Sequence, residues 1–582
     1  MFGKILIANR GEIAVRVIRA CRVLGVRSVA IYSEADVGAL HVRLADEAYP
    51  CGPARATASY LDIPGIIAIA QRCGAEAIHP GYGFLSENAD FAQAAIDGGL
   101  VFIGPSPDVI RAMGGKIAAR ERMRAAGVRV VPGGRGAIGS PDEAHREAKD
   151  FGYPVIVKAS AGGGGRGMRR VNEESELEAA LERAASEALA AFGDDTVYLE
   201  KYLSGPRHIE IQILADCHGK TVHLGERECS IQRRYQKLVE EAPAHGLSEA
   251  TRAAMGDAAV RAARAVGYVG AGTCEFMLDS TGAFYFLEMN TRIQVEHPVT
   301  ECVTGLDLVA LQIRIAAGEA LPFEQEDVRL TGHAIEARIY AEDPDGGFVP
   351  SPGPILAWCA PEGPGIRLDA GFEAGQTVTP HYDAMLAKLI VTGRDREEAL
   401  ARLAGAAESF WIAGVRTSLP FLRRLVVNPV FRAGAYDTGF LEAELARAGG
   451  GLAAPPTLDE GTREMVLALV AWRIVLADAT GAEDARGDGS IASGARVTFP
   501  KQPPVEVEVR AANSALHVRI DGRDVEFEVT PVGDASPPGA EPVVFDVARG
   551  AVASRMSLYR RKNGDFEVGL RDRVLKLKTE RR

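Results

Sequence analysis

The run Phe284-Tyr-Phe-Leu-Glu-Met-Asn-Thr-Arg-Ile-Gln-Val-Glu-His297 constrains the fold more than any other stretch of the chain. In an extended backbone its period of two puts Glu288, Asn290, Arg292, Gln294 and Glu296 on one face and turns Leu287, Met289, Ile293 and Val295 to the other. Such a face is either solvated at a sheet edge or the wall of a site. The apolar start, Phe284 to Leu287, suits a central strand, and charges buried there need partners or a metal. Thr273-Cys-Glu-Phe-Met-Leu278 and the turn Asp279-Ser-Thr-Gly282 precede the run, so a hairpin centred near Thr281 and Gly282 sets Glu275 opposite Glu288. Two facing carboxylates repel by about 1 kcal/mol or more. A divalent cation converts that cost into a site: Glu275, Glu288 and Asn290, completed by phosphate oxygens, offer the shell that Mg²⁺, or alternatively Mn²⁺, accepts at nucleotide sites.

The basic half of such a site is scattered. KASAGGGGRGMRR, from Lys158 to Arg170, follows the apolar run Tyr153 to Val157, and Lys116 follows Gly114 and Gly115. A third charged stretch runs from Glu226 to Lys237. Glycine backbone can bring N–H groups close to phosphate oxygens, so the glycines read as a phosphate loop or as a spacer. No Gly-Lys-Ser/Thr follows, which excludes a Walker A loop.

At 582 residues the chain is long enough for three to five compact units. From Lys4 to about residue 110, short apolar runs alternate with helical patterns such as Glu12 to Leu24 and Ile63 to Cys73, the signature of a parallel sheet wrapped by helices. Asn9-Arg-Gly11 is not a dinucleotide fingerprint, so residues 1–114 read as a Rossmann-like unit without one. A connecting helix (115–131), a glycine-containing lid (132–203), a larger unit (204–446) and a Gly/Pro-rich linker (447–460) follow. Residues 461–582 have a different pattern, with one long helix around Met465 to Leu476 and then alternating strands such as Val505–Val509, Leu516–Ile520 and Val525–Val529. Asp521-Gly522 and Asn563-Gly564 are hairpin signals there. The expectation is an α/β protein ending in an antiparallel barrel or curled sheet, the latter an interaction module.

A net charge of −12 argues against a broad nucleic-acid surface. No apolar stretch of ~18 residues is present to span a membrane. The N-terminus reads as a first strand, and eight scattered cysteines without CxxC spacing indicate a reduced, cytoplasmic protein.

Several motifs together carry a resemblance. IANRGEIAVRVIRA near the start, IHPGYGFLSEN at 78–88, KASAGGGGRGM, EKYL at 200–203, PRHIEIQ at 206–212, RECSIQRRYQKLVEEAPA at 227–244, LEMNTRIQVEHPVTE at 287–301 and FVPSPG at 348–353 resemble biotin carboxylases of the ATP-grasp fold over about residues 1–446. The later region is more loosely similar to the domain that, in alpha subunits of propionyl-, methylcrotonyl- or acetyl-CoA carboxylases, ties the carboxylase to the carboxyltransferase. The resemblance implies an ATP-dependent ligase that activates bicarbonate as carboxyphosphate and carboxylates biotin on a carrier protein. It implies that Lys116, Lys158, Gly162, Gly163, Gly164, Gly165, Arg166, Gly167, Met168, Glu200, Lys201, Leu203, His208, Gln232 and Glu275 bind ATP. Glu275, Glu288 and Asn290 hold the metal. Glu296 is the base, Lys237, Arg292, Gln294 and Val295 hold bicarbonate, and Arg338 stabilises the enolate-like oxygen of biotin.

Two departures qualify it. Tyr235 stands where many relatives have histidine or asparagine, and no A-M-K-M biotinylation sequence occurs, so the carrier is expected on another chain or in a domain this polypeptide lacks. An oligomeric assembly and a carboxyltransferase beta subunit complete the expected partners. The rival readings are a different ATP-grasp ligase acting on an amine and a catalytically silent scaffold.

Overall fold

The computed structural model describes residues 1–134, 136–160, 168–447, 452, 458–479, 491–500, 502–512, 515–532, 544–560, 565–571 and 573–581. The glycine run at 162–167, with Arg166, and the Asn563-Gly564 hairpin signal therefore lie outside the described residues.

Strands β1 (Lys4–Ile7), β2 (Arg27–Ser33), β3 (Glu47–Gly52), β4 (Ala77–His79) and β5 (Val101–Phe102) form an all-parallel sheet in the order β3-β2-β1-β4-β5. The helix Gly11–Leu24 buries Ile13, Val17, Ile18 and Cys21, positions that fall on one helical face, and packs them with Leu308, Val309 and Ile313 of a later helix. Edge strand β3 had no sequence signal, because Pro50 breaks its pattern; an edge is where a strand tolerates proline.

A small antiparallel sheet, ordered β7-β6-β8, follows: β6 (Val155–Ala159), β7 (Met168–Val171) and β8 (Val197–Lys201). Helices Pro141–Phe151 and Leu177–Phe192 cover it, contributing Ala144, Ala148 and Leu177 to a core with Val155, Val157 and Leu199.

The largest sheet contains β9 (Arg207–Ala215), β10 (Thr221–Arg233), β11 (Gln236–Ala242), β12 (Gly270–Leu278), β13 (Phe284–Asn290) and β14 (His333–Tyr340), in the order β13-β12-β9-β10-β11-β14. Strands Met385–Gly393 and Ile366–Ala370 extend it beyond β14. Alternation sorts its two faces. Ile209, Ile211 and Ile213 of β9 pack on Met255, Ala258, Ala259 and Ala262 of the helix Glu249–Ala265, which sends His208, Glu210 and Gln212 to the other side. β10 and β11 join through Arg234 (φ 48°) and Tyr235 (φ 66°), a two-residue turn in the left-handed region.

The expected extended wall is corrected in two respects. β13 stops at Asn290, so Arg292, Gln294 and Glu296 lie beyond the strand. The hairpin does pair Glu275 with Glu288, but Phe276 pairs with Phe286, leaving Leu287 as a bulge.

In the C-terminal part, the helix Glu460–Ala479 is buried at every position from Met465 to Ala471, all round its circumference. It packs against Val507, Val518, Phe527 and Val547 of eight antiparallel strands between Ile491 and Arg581. Ile491–Thr498 also pairs with Val574–Arg581, so the sheet closes around the helix. Asp521 (φ 47°) and Gly522 (φ 82°) form the expected tight hairpin. Arg571 ion-pairs with Glu408, and its carbonyl accepts from Arg423, fastening this sheet to the preceding part. Within the expected linker, Leu452 is buried and its carbonyl accepts from Arg424 Nε at 3.0 Å. Among the described residues no helix is long and apolar enough to cross a membrane.

Candidate active site

A cleft of ≈ 1160 Å³ lies between the small sheet, the charged face of the large sheet and the β1 end of the parallel sheet. Of the residues singled out in the sequence, Lys116, Lys158, Met168, Glu200, Lys201, Leu203, His208, Gln232, Lys237, Glu275, Glu288, Asn290, Arg292, Gln294, Val295 and Arg338 line it. Glu296 lies fully buried just behind its wall.

At the end nearer the small sheet, Ile156 pairs with Glu200 and Lys158 with Tyr198 across β6 and β8, so Lys158 and Glu200 share a face. Lys158 Nζ is 2.5 Å from Glu200 Oε2, and Arg120 ion-pairs with the other oxygen. Burial, then the nearby charges of Lys116 and Arg120, draw the Lys158 ammonium down to about 7. Two assigned side chains are engaged elsewhere: the Glu200 carboxylate is spent on these cations, and Lys201 Nζ donates to the carbonyls of Gly152 (2.7 Å) and Tyr153 (3.2 Å). Their backbone atoms are what this strand can offer a ligand.

At the other end, acids and bases alternate. His208, Glu210 and Gln212 pair across β9 and β12 with Met277, Glu275 and Thr273. Lys237 Nζ reaches Glu210 Oε2 (2.6 Å), Glu275 Oε1 (3.1 Å) and Glu296 Oε1 (2.5 Å). Arg338 Nη2 donates to Glu296 Oε2 at 3.0 Å, and its Nε to Glu240 Oε1 at 2.6 Å. Arg292 Nε donates to Glu87 Oε2 at 2.8 Å, and its Nη1 to Gln294 Oε1 at 3.1 Å. Lys388 Nζ, fully buried, donates to the Val295 carbonyl at 3.0 Å and is 3.0 Å from Glu12 Oε1. That bond holds the 291–296 segment against the cleft although it has left the strand.

The charges order the protonation states. Against its burial, Glu296 is held well below the usual carboxylate range by Lys237, Arg338 and Arg227. Glu275 is likewise held down, against burial, by Lys237 and His208. Burial and the charge of Glu275 push Glu288 up. Glu288 makes no hydrogen bond or ion pair with a described residue, although it lines the cleft opposite Glu275. An acid in that position, its ionised form disfavoured by a neighbouring acid, fits a cation-binding role, and oxygen donors suit a hard ion such as Mg²⁺.

Glu87, Arg120, Glu210, Arg227 and Lys388 were not singled out from sequence. The alternation in Pro206-Arg-His-Ile-Glu-Ile-Gln212 could have found Glu210, since it shares a strand face with His208. Glu87 and Arg292 meet across 205 positions, and no local pattern announces such a pair.

Comparison with known proteins follows the same geography. Family models described as "Biotin carboxylase, N-terminal domain", "Carbamoyl-phosphate synthase L chain, ATP binding domain" and "Biotin carboxylase C-terminal domain" match residues 1–110, 115–324 and 336–443. The chain is 53% identical over 443 residues to biotin carboxylase 1 of Bacillus subtilis, covering 76% of this chain and 98% of that protein. It is 53% identical over 439 residues to the alpha subunit of mitochondrial methylcrotonoyl-CoA carboxylase of Dictyostelium discoideum, covering 75% and 63%. Among solved structures, the biotin carboxylase domain of Hydrogenobacter thermophilus 2-oxoglutarate carboxylase, in complex with MgADP, ADP and bicarbonate, superposes with a TM-score of 0.74 at 51% identity, covering 76% and 98%.

Proposed function

The chain belongs to the biotin carboxylase family, and from that premise we propose how its cleft carries out ATP-dependent carboxylation of biotin. Lys116, Lys158 and His208, with the glycines at 162–165, Arg166, Gly167 and Met168, bind the ATP phosphates and ribose. The backbone from Glu200 to Leu203 reads adenine, and Gln232 completes the site. Glu275, Glu288 and Asn290 would hold Mg²⁺, which when bound neutralises phosphoryl charge.

The observation that carries this reading is Glu296, buried between Lys237 and Arg338 beside Arg292. The same cations offer a small anion a docking place. When bicarbonate binds, Lys237 and Arg292 share their hydrogen bonds with it and with Gln294 and the Val295 backbone, and Glu296 loses part of the stabilisation that keeps it a weak base. It then takes the bicarbonate proton as the oxygen attacks the γ-phosphoryl group and ADP departs, giving carboxyphosphate. Arg338, planar and permanently charged, stabilises the ureido oxygen of biotin as carboxyphosphate breaks into CO₂ and phosphate, the phosphate takes the N1′ proton, and N1′ takes the CO₂. An amine-directed ligase has no use for this arrangement, and a silent scaffold would not maintain it.

We further assign residues 1–114, 115–131, 132–203 and 204–446 to the carboxylase, the third of these as a lid, and 461–582 to docking of a carboxyltransferase subunit. Two of the relatives act on methylcrotonoyl-CoA and 2-oxoglutarate by their names while sharing about half of their residues with this carboxylase part. The acceptor is therefore specified elsewhere, and the helix-filled C-terminal sheet favours an acyl-CoA carboxylase alpha subunit working with a biotinylated carrier in an oligomeric assembly. Eight cysteines without a disulfide fit a reducing compartment such as the cytoplasm. The test is ATP turnover by purified protein with Mg²⁺: it should require bicarbonate and rise with free biotin, and turnover indifferent to both refutes the reading.

A further inference from the structure

Two buried acids beside this centre have no role in the scheme above. Glu240 on β11 and Glu336 on β14 are direct cross-strand partners, both 0% exposed, so their side chains leave one face of the sheet as close neighbours. Glu240 Oε1 accepts from Arg338 Nε, and Arg338 extends from there to Glu296. Neither carboxyl oxygen of Glu336 has a hydrogen-bond partner among the described residues. The nearby Lys388 is occupied by Glu12 and the Val295 carbonyl. An ionised carboxylate buried without hydrogen bonds is far costlier than a neutral carboxyl, and two anions directly opposite each other add repulsion.

We propose that Glu240 is a positioning residue for biotin carboxylation: it holds the Nε edge of Arg338 so that the guanidinium is fixed against Glu296, while Glu336, across the ladder, stays protonated and leaves the charge to Glu240. The inference rests on the roles given above to Arg338 and Glu296. The surrounding charges agree with the division. Glu240 faces Arg338, Glu296 and Lys237; burial lifts it to about 7, with Arg338 pulling the other way. Glu336 faces Lys388, Arg338, Glu296 and Glu240 itself, and burial carries it well above the carboxylate range. Tyr82 and Tyr340 close the group and stay neutral, their phenols raised by burial. Glu240 is thus the acid that ionises as pH rises through about 7, and the Arg338 anchor strengthens in the same direction.

The test is carboxylation of free biotin by the full chain. Glu240→Gln keeps the shape and loses the charge: kcat should fall about 10- to 100-fold, the loss expected for one charge-assisted hydrogen bond, with the KM for ATP unchanged. The rise of kcat through neutral pH should disappear in this variant and persist in Glu240→Asp. Glu336→Gln exchanges one neutral group for another and should cost no more than about three-fold. A wild-type kcat and pH profile for Glu240→Gln, or a Glu336→Gln as impaired as Glu240→Gln, overturns the proposal. Arg338→Ala, measured alongside, separates the two levels. If it carboxylates biotin normally, the role of Arg338 itself is wrong; if it is inactive while Glu240→Gln is normal, only the positioning role falls.

Discussion

Lys237 Nζ lies 2.5 Å from Oε1 of Glu296, both side chains shielded from solvent. The same ammonium touches Glu210 and Glu275, so one side chain joins the wall proposed to face the metal to the proposed base. Removing the acid at the end of this chain should stop proton abstraction without emptying the nucleotide site. Glu296→Gln is expected to lower biotin-dependent ATP turnover by about 10²- to 10⁴-fold while the KM for ATP changes little. Loss of ATP binding instead would show that Glu296 holds the nucleotide.

Lys158 carries a pH signature. Burial and the neighbouring charges of Lys116 and Arg120 draw its ammonium down to about 7, so a fraction of it is neutral at pH 8. Anionic phosphates favour the charged form and draw a proton onto it. ATP binding at pH 8 should therefore take up protons, read by calorimetry in buffers of different ionisation enthalpy, and the uptake should shrink as pH falls below 7. Lys158→Met should remove it; uptake persisting in that variant would assign the proton elsewhere.

Glu288 faces Glu275 and has no hydrogen bond or ion pair among the described residues, and a lysine side chain there would put an ammonium where a cation is proposed to bind. Glu288→Lys should abolish turnover at any Mg²⁺ concentration, whereas Glu288→Gln should retain some activity with the Mg²⁺ requirement raised about 10-fold or more. Unchanged activity in Glu288→Lys would remove this acid from the metal site.

The C-terminal helix packs into the closed sheet through a buried apolar stretch that includes Leu469, which is 0% exposed. Leu469→Ala should destabilise this part by about 2–5 kcal/mol. Thermal melting should show an early transition, with carboxylation of free biotin retained and capture of a carboxyltransferase subunit lost. Equal loss of both activities would mean that the closed sheet supports the cleft directly.

Much of this arrangement was legible in the chain because it follows from periodicity. The Glu275–Glu288 pairing came from counting along a hairpin, and the parallel sheet from alternating apolar runs. What escaped depends on contacts that no local pattern encodes. The bulge at Leu287 changes the register by one residue without a compositional mark, and the wall beyond Asn290 is held by Lys388, which comes from a strand about ninety positions later. Arg120 and Arg227 look like ordinary helix and strand cations until folding buries them against Glu200 and Glu210. The engagement of Lys201 with the Gly152 and Tyr153 carbonyls was equally invisible, since it depends on how β8 crosses the small sheet.

Attack of bicarbonate on ATP before biotin is carboxylated leaves a record in the oxygen atoms. With Mg²⁺, ATP, free biotin and ¹⁸O-labelled bicarbonate, the released phosphate should acquire one labelled oxygen per turnover, at a rate that rises with biotin. Phosphate free of label while ATP is consumed would rule out carboxyphosphate as the intermediate.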